Sequence, residues 1–436
     1  MRYGHPLFLG SSELKYSRLD TPSNESERSD GEQSTMKRVN HIWNSAISEQ
    51  NGVRAVIEGT HKKRGHREVQ KMLYDEEVVR EHPEQWHMID PDRALEYVRP
   101  ICQSLVDGTY VHENPRYKRQ FCQTSKGGKW RDLYIPTLKD HTVHHMVMQV
   151  CMPAFTKGMH PHCCGSVPER GIKHIVKYVA KWMQEDKACR YFVKLDIRHF
   201  FPSININAME KKLMEKIKDE KILKIWRMIL KSAPVCCPVG YYPSPWLANL
   251  YLEDFDWFVE QKLYKERRGK RIKYVRHFLR YSDDILLIGT SKSDLYKAVH
   301  AIIQYLRDNK GLEVKPSWEI KAIGKHEIVD GKWRLKSGTF WCDIGGYKFC
   351  KDCTILRDGI YLKTKRMAKK ISKQDYYTEH QCKSINASVA WAEQADSESF
   401  LDNCVYPYVN IKETRRIISN VDKNRKFRFN KTKNND

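Results

Sequence analysis

The chain has 436 residues, 40% of them hydrophobic and 11% aromatic, and its 77 Lys and Arg against 54 Asp and Glu leave a formal charge of +23. A length of that order suits two or three domains, and so positive a balance points to a polyanion held through phosphate contacts. No run of about 18 apolar residues is present to cross a bilayer and the N-terminus has no apolar signal core, while 13 scattered cysteines, an odd number, read as reduced thiols of a cytoplasmic protein with no membrane partner.

Residues 1–35 are polar and rich in Ser, Glu and Arg, too poor in apolar surface to order themselves, and are expected to be disordered, with Met36 an alternative start. Residues 36–109 read as a basic helical extension, with Ile42, Trp43, Ala46 and Ile47 at helical spacing. Within it, His61-Lys62-Lys63-Arg64-Gly65-His66 suits either RNA or a solvated turn. Ser125-Lys126-Gly127-Gly128-Lys129-Trp130-Arg131 is a basic strand-like stretch that by itself is a solvated hairpin. His160-Pro161-His162-Cys163-Cys164 is rich in metal-ligand types but is read as a loop.

Tyr191-Phe192-Val193-Lys194-Leu195-Asp196 is an apolar strand ending in one carboxylate, followed by Phe200 and Phe201. A helix is expected after Asn207, capped with Glu210 three positions on. Another is expected from Pro245, with Ser244 as its N-cap and Leu247, Leu250, Tyr251, Phe255 and Phe258 as its core face. Then Tyr281-Ser282-Asp283-Asp284 interrupts two short runs of strand-formers, as the tip of a β-hairpin does. Divalent ions are bound by oxygen ligands and completed by substrate phosphates. A two-metal phosphoryl-transfer site needs carboxylates converging from separate strands, because no single segment surrounds two ions ~3.5–4 Å apart; Asp196 and Asp283 meet that need. Cys350-Lys351-Asp352-Cys353 has zinc-like spacing, yet no second pair has matching context, so it is read as a turn. From Ile360 onward the chain is basic and helical, with Lys363, Lys365, Arg366, Lys369, Lys370 and Lys373.

Together these stretches resemble the catalytic motifs of reverse transcriptases, in the order that family requires, from about Tyr110 to Phe349. The resemblance implies an α+β right-hand polymerase: fingers over 110–190, a palm of antiparallel sheet with packed helices over 191–350, and a helical thumb with a basic C-terminus over 351–436. It implies that Asp196, Asp283 and Asp284 hold two Mg²⁺ ions (Mn²⁺ substituting), with Asp284 in the more supportive role. Lys126 and Lys129 would offer point charges and Arg131 a planar fork to the incoming dNTP. Phe201 stands where the family places an aromatic against a ribose 2′-hydroxyl. Gly165-Ser166-Val167-Pro168-Glu169-Arg170-Gly171 is similar to the second fingers motif, Gly240 to the loop before a palm helix, and Lys315 to a lysine near the leaving pyrophosphate. Gly345-Gly346-Tyr347-Lys348-Phe349 is similar to the hairpin that grips the primer.

Implied partners are a template RNA, a primer or cDNA strand, and either a small basic accessory protein or a structured noncoding RNA. Where many relatives carry Gln-Gly, this chain has Val239-Gly240, which resembles the enzymes of diversity-generating retroelements. Ser244-Pro245 is instead more similar to group II intron and retron enzymes. Too few residues remain for an appended HNH-type nuclease. A retron-like or phage-defence enzyme, including a template-independent one, and a non-catalytic nucleic-acid-binding scaffold on the same fold stay open; the intact aspartates and Arg131 favour catalysis.

Overall fold

A computed structural model describes residues 38–61, 63, 69–70, 72, 90–124, 127–329 and 332–420. The expectations for residues 1–35, for Met36, for Lys126 and for most of the 61–66 cluster lie outside the described residues. The strands are, in chain order, β1 (Arg116–Thr124), β2 (Gly127–Ile135), β3 (Tyr191–Asp196), β4 (Tyr264–Arg267), β5 (Lys270–Lys273), β6 (His277–Tyr281) and β7 (Asp284–Gly289). They continue with β8 (Lys321–Ala322), β9 (His326–Val329), β10 (Lys332–Leu335), β11 (Cys342–Ile344), β12 (Tyr347–Phe349) and β13 (Thr354–Leu356).

Every pairing between these strands is antiparallel, and helices pack around them, so the fold is α+β. The central sheet has the order β6-β7-β3-β8. Successive side chains on a strand point to opposite faces, and here both faces are covered. Val193, Leu195, Phe278, Ile285 and Leu287 enter one core; Phe192, Leu279, Leu286 and Ile288 enter another. That is why β7 is an unbroken apolar run, Ile285-Leu286-Leu287-Ile288, rather than an alternating one.

The first core is closed by helices Leu138–Lys157, Glu220–Lys231, Ser244–Tyr251, Glu253–Lys262 and Lys292–Lys310, which contribute Met146, Phe155, Trp226, Leu247, Phe255 and Leu295. The second is closed by Ile172–Glu185, Asp358–Ile371 and Glu379–Ala392 together with the sheet β11-β12-β13. Each fully buried large aliphatic or aromatic side chain is worth roughly 1.5–3 kcal/mol, so the sheet is clamped from both sides. The ends of β3 and β7, where the apolar pattern stops, are its one-sided margin.

Local expectations shift in two places. The helix expected after Asn207 is Ile206–Lys216, and its cap is Asn205, whose side chain accepts from the Ala208 N–H. Ser244 is not a cap: it is the first helical residue, and its buried hydroxyl donates to the Pro238 carbonyl at 2.8 Å. The single helix expected from Pro245 is broken at Leu252 into Ser244–Tyr251 and Glu253–Lys262. Further on, Asp358–Ile371 buries Thr364, Ala368 and Ile371 and exposes Lys363, Arg366, Lys369 and Lys370, with Lys365 half-buried, as an amphipathic helix should. Among the described residues, no helix is long and apolar enough to cross a membrane.

Candidate functional site

The β6–β7 hairpin closes through Ser282-Asp283, with Tyr281 and Asp284 paired across its mouth. Ser282 has φ +57°, a left-handed conformation that hairpin turns use to match strand twist and that non-glycine residues adopt sparingly. β3 runs beside β7 in the register Leu195↔Ile285 and Asp196↔Asp284. The last carboxylate of one strand therefore faces the first of the other on the same side of the sheet. Asp283 stays in the turn, its carbonyl accepting the Ile197 N–H at 3.3 Å. Beyond Asp196 the chain reverses through His199, at φ +47°, into the short helix Phe200–Ser203.

Charge crowds here. Burial, and after it the neighbouring Asp196 carboxylate, pushes the Asp283 carboxyl above its ordinary value against the pull of Lys315 and Lys129. Burial likewise raises Asp284, with Lys194 opposing. Lys315 Nζ lies 2.7 Å from Asp196 Oδ1, and its own N–H donates to the Asp196 carbonyl at 2.9 Å. The ammonium approaches off the hydrogen-bonding direction, so Oδ1 is a buried oxygen with a nearby charge but no hydrogen bond. Lys194 is anchored elsewhere, Nζ donating to the Asp343 carbonyl at 2.7 Å.

An all-oxygen donor set, a buried carboxylate oxygen with no hydrogen bond and carboxyls already strained by mutual charge fit hard divalent cations. Asp196, Asp283 and Asp284 are the residues that would hold them. Their oxygens do not form one cluster within 4.8 Å, as two other groups among the described residues do.

The other expected residues take varied positions. Residues two apart on a strand share a face, so Lys129 and Arg131 lie together on β2, both exposed, opposite Cys122 and Gln120 of β1, with Lys118 and Arg116 farther along the same face. Lys129 is close enough to act on Asp283. Phe200 is buried in the core and leaves Phe201 half-exposed beside it, ring centroids 5.5 Å apart. Gly240 is explained by packing. It has φ +118°, and a Cβ there would stand 2.4 Å from the Tyr134 carbonyl oxygen. The Tyr134 N–H donates to the Val239 carbonyl at 2.8 Å, so the Val239-Gly240 loop is docked on the end of β2.

Sequence reasoning missed what holds the turn. Arg280, fully buried, makes two hydrogen bonds to the Asp256 carboxylate (2.6 and 2.7 Å). It also donates to Asn249 Oδ1 at 3.0 Å, to the Ser282 carbonyl at 3.1 Å and to Cys163 Sγ at 3.2 Å. Asn249 in turn donates to the Gly165 carbonyl. The outer edge of β6 is covered by segment 162–164, with Arg280 N–H donating to the His162 carbonyl and Cys164 N–H to the Arg280 carbonyl. A Cβ at Gly165 would stand 2.8 Å from the Ser282 nitrogen. The His160–Cys164 stretch is thus a splint for the hairpin. An arginine in the strand just before the aspartates was the available signal; its partners lie on helices that nothing in the pattern links to it.

Residues 123–317 match the family described as reverse transcriptase (RNA-dependent DNA polymerase). The chain is 26% identical over 233 residues to the group II intron-encoded protein LtrA of Lactococcus lactis, covering 51% of this chain and 38% of that one. It is 24% identical over 300 residues to the retron Ec73 reverse transcriptase of Escherichia coli, covering 66% of this chain and 85% of that one. Against the structure of telomerase from Candida albicans it has a TM-score of 0.40 at 11% identity, over 67% of this chain and 55% of that one. The chain spans between 38% and 55% of the length of the first curated relatives it matches. Residues 123–317 are thus similar to reverse transcriptases, with bacterial group II intron and retron proteins among the relatives.

Proposed function

We propose that the chain is an RNA-directed DNA polymerase that extends a primer on an RNA template from dNTPs by two-metal nucleotidyl transfer. The observation that carries this reading is the Asp196↔Asp284 register, which gathers carboxylates from two separate strands at one margin of the sheet beside Asp283. The fingers are then 110–190, the palm 191–350 and the thumb 351–436. Asp196, Asp283 and Asp284 would hold two Mg²⁺ ions, which would supply a lowered pKa at the primer 3′-hydroxyl and charge neutralisation at the triphosphate. Lys129 and Arg131, on the exposed basic face of β2, receive the incoming phosphates. Lys315, already in contact with Asp196, exchanges that carboxylate for the departing pyrophosphate. Primer extension on a defined RNA with purified protein is expected to require Mg²⁺ or Mn²⁺; extension that is insensitive to chelation, or that ignores the template, refutes the proposal.

The half-exposed ring of Phe201 is the proposed sugar filter. Shrinking it to Ala is expected to raise the ratio of ribonucleotide to deoxyribonucleotide incorporation by about tenfold or more, within the ~1–3 kcal/mol that steric discrimination supplies. Competition assays with mixed nucleotides measure it. An unchanged ratio with a lowered melting temperature would reduce Phe201 to packing.

For the subfamily, the reading favoured is a diversity-generating retroelement enzyme, because an aliphatic Val239 offers no side-chain hydrogen bond near the forming base pair. The backbone of Val239 is pinned to Tyr134, so Val239→Gln changes the side chain on a fixed loop. That variant is expected to lower the error rate, most at template adenines, in deep-sequenced cDNA from a defined RNA. A wild-type error rate that Gln leaves unchanged shifts the assignment to the retron-like alternative.

A further inference from the structure

Away from the aspartates, the fold brings His326 to the Cys350-Lys351-Asp352-Cys353 turn, 24 residues after it in the chain. Cys350 and Cys353 bracket the turn between β12 and β13, tightened by the Cys350 N–H donating to the Cys353 carbonyl at 3.0 Å. His326, the first residue of β9, reaches the same turn, and Asp352 lies within it. We propose that His326, Cys350, Asp352 and Cys353 form a structural zinc site.

The distances favour a shared ion over a set of thiol hydrogen bonds. Zn–S bonds of about 2.3 Å and Zn–N or Zn–O bonds of about 2.0–2.2 Å in a tetrahedron set ligand edges of roughly 3.8 Å for S···S and roughly 3.5 Å for S···N or S···O. Here Cys350 Sγ and Cys353 Sγ are 3.4 Å apart. The His326 Nδ1 lies 3.6 Å from the first sulfur and 3.3 Å from the second. Asp352 Oδ1 stands 3.0 Å from Cys350 Sγ and 3.2 Å from His326 Nδ1. These five edges are near the required lengths, and the sixth, between Asp352 and Cys353, closes within the 4.8 Å that spans all four donor atoms. The second carboxylate oxygen is engaged in a way that orients the first: Asp352 Oδ2 accepts the His326 backbone N–H at 2.8 Å. Two sulfurs, one imidazole nitrogen and one carboxylate oxygen form a closed tetrahedral set that suits zinc, and they exclude the all-oxygen chemistry of Mg²⁺.

The other ligand-rich cluster, Asp186, Cys189 and His277, does not meet the same test. Asp186 Oδ2 is already occupied by Arg276 and by His277 at 2.8 Å, and Oδ1 accepts the Ala188 N–H at 3.0 Å.

A metal here has an evident structural task. Among the described residues β9 and β10 form a sheet of two strands, and an isolated two-stranded ribbon is marginal in water. Zinc would staple its root to the sheet β11-β12-β13, supplementing the Lys351 N–H that donates to the Gly324 carbonyl at 2.8 Å.

The test is metal analysis of the full-length chain, expressed with zinc in the medium and dialysed against a weak chelator. One zinc per chain is expected, and Co²⁺ substitution should bring a thiolate-to-cobalt charge-transfer absorption. Asp352→Asn, which keeps an oxygen for the His326 N–H, should remain folded and lose zinc at lower chelator concentration; Cys350→Ser with Cys353→Ser should lose it outright. Asp283→Asn should keep a full zinc complement, separating this site from the carboxylates. Folded chain that takes up no zinc on reconstitution overturns the proposal. So does an intact mass two hydrogens light, localised to a Cys350–Cys353 disulfide.

Discussion

Asp283→Asn is expected to reduce RNA-templated DNA synthesis by about a thousandfold or more while leaving the fold as stable as before, or slightly more so. The loss follows from removing one carboxylate of the proposed metal-holding set: charge stabilisation by such an ion is worth several kcal/mol, and about 1.4 kcal/mol corresponds to a tenfold change in rate. The effect on stability has the opposite sign. Burial, followed by the charge of Asp196, raises the Asp283 carboxyl above its ordinary value in the folded chain. The folded state therefore binds that proton more tightly than the unfolded state does. Stability falls as pH rises from the ordinary carboxylate value through the raised one, and the ionised group is a net cost at neutral pH. An amide of the same shape removes that cost. Melting curves at neutral pH should place the variant at or above wild type, and the gap should close in acid, where both side chains are neutral. Mg²⁺ should raise the melting temperature of wild type more than that of the variant. Equal polymerase activity in the two proteins would remove Asp283 from the site; a large drop in melting temperature would make it a structural residue instead.

The parts legible in the sequence were those encoded by short-range pattern. Tyr281-Ser282-Asp283-Asp284 could be read as a hairpin tip because two runs of period and composition suited to strands stop there, and a tip is where two adjacent carboxylates can be tolerated. Asp196 was legible for the same reason, as the polar end of an apolar strand, and the pairing of the two could be expected because a two-metal site requires it. Caps were less legible: Asn205 and Asn207 are both good caps two residues apart, and the one used depends on where the preceding turn releases the chain. The support of the hairpin was not legible at all. Asp256 reads as an ordinary acidic residue in the first turn of Glu253–Lys262, and only the packing of that helix behind β6 buries it. The same holds for His326. Cys350 and Cys353 carry the spacing of half a metal site, but the third donor comes from a strand 24 residues upstream of Cys350, a distance no local rule spans.

The buried pair behind the aspartates should show the largest stability effect in the molecule. Asp256→Ala is expected to destabilise the chain by roughly 3–5 kcal/mol, because it leaves a guanidinium that cannot be deprotonated buried without its counter-charge. Arg280 and Asp256 are both fully buried, so water cannot take over the lost hydrogen bonds. Removing both charges is a different experiment. Arg280→Met with Asp256→Leu replaces the pair with apolar side chains of similar volume, and such replacements are often neutral or stabilising. The double variant should therefore recover most of what either single change loses, a coupling of several kcal/mol in a double-mutant cycle read by urea denaturation. Recovery of polymerase activity should be incomplete. Arg280 also donates to the Ser282 carbonyl and to Asn249, and Asn249 holds the Gly165 loop against the turn; apolar side chains restore the packing but not those donors. A stable double variant with impaired synthesis identifies Arg280 as a positioning residue for the hairpin that presents Asp283. Single variants within about 1 kcal/mol of wild type would instead mean that the pair contributes no more than an exposed salt bridge.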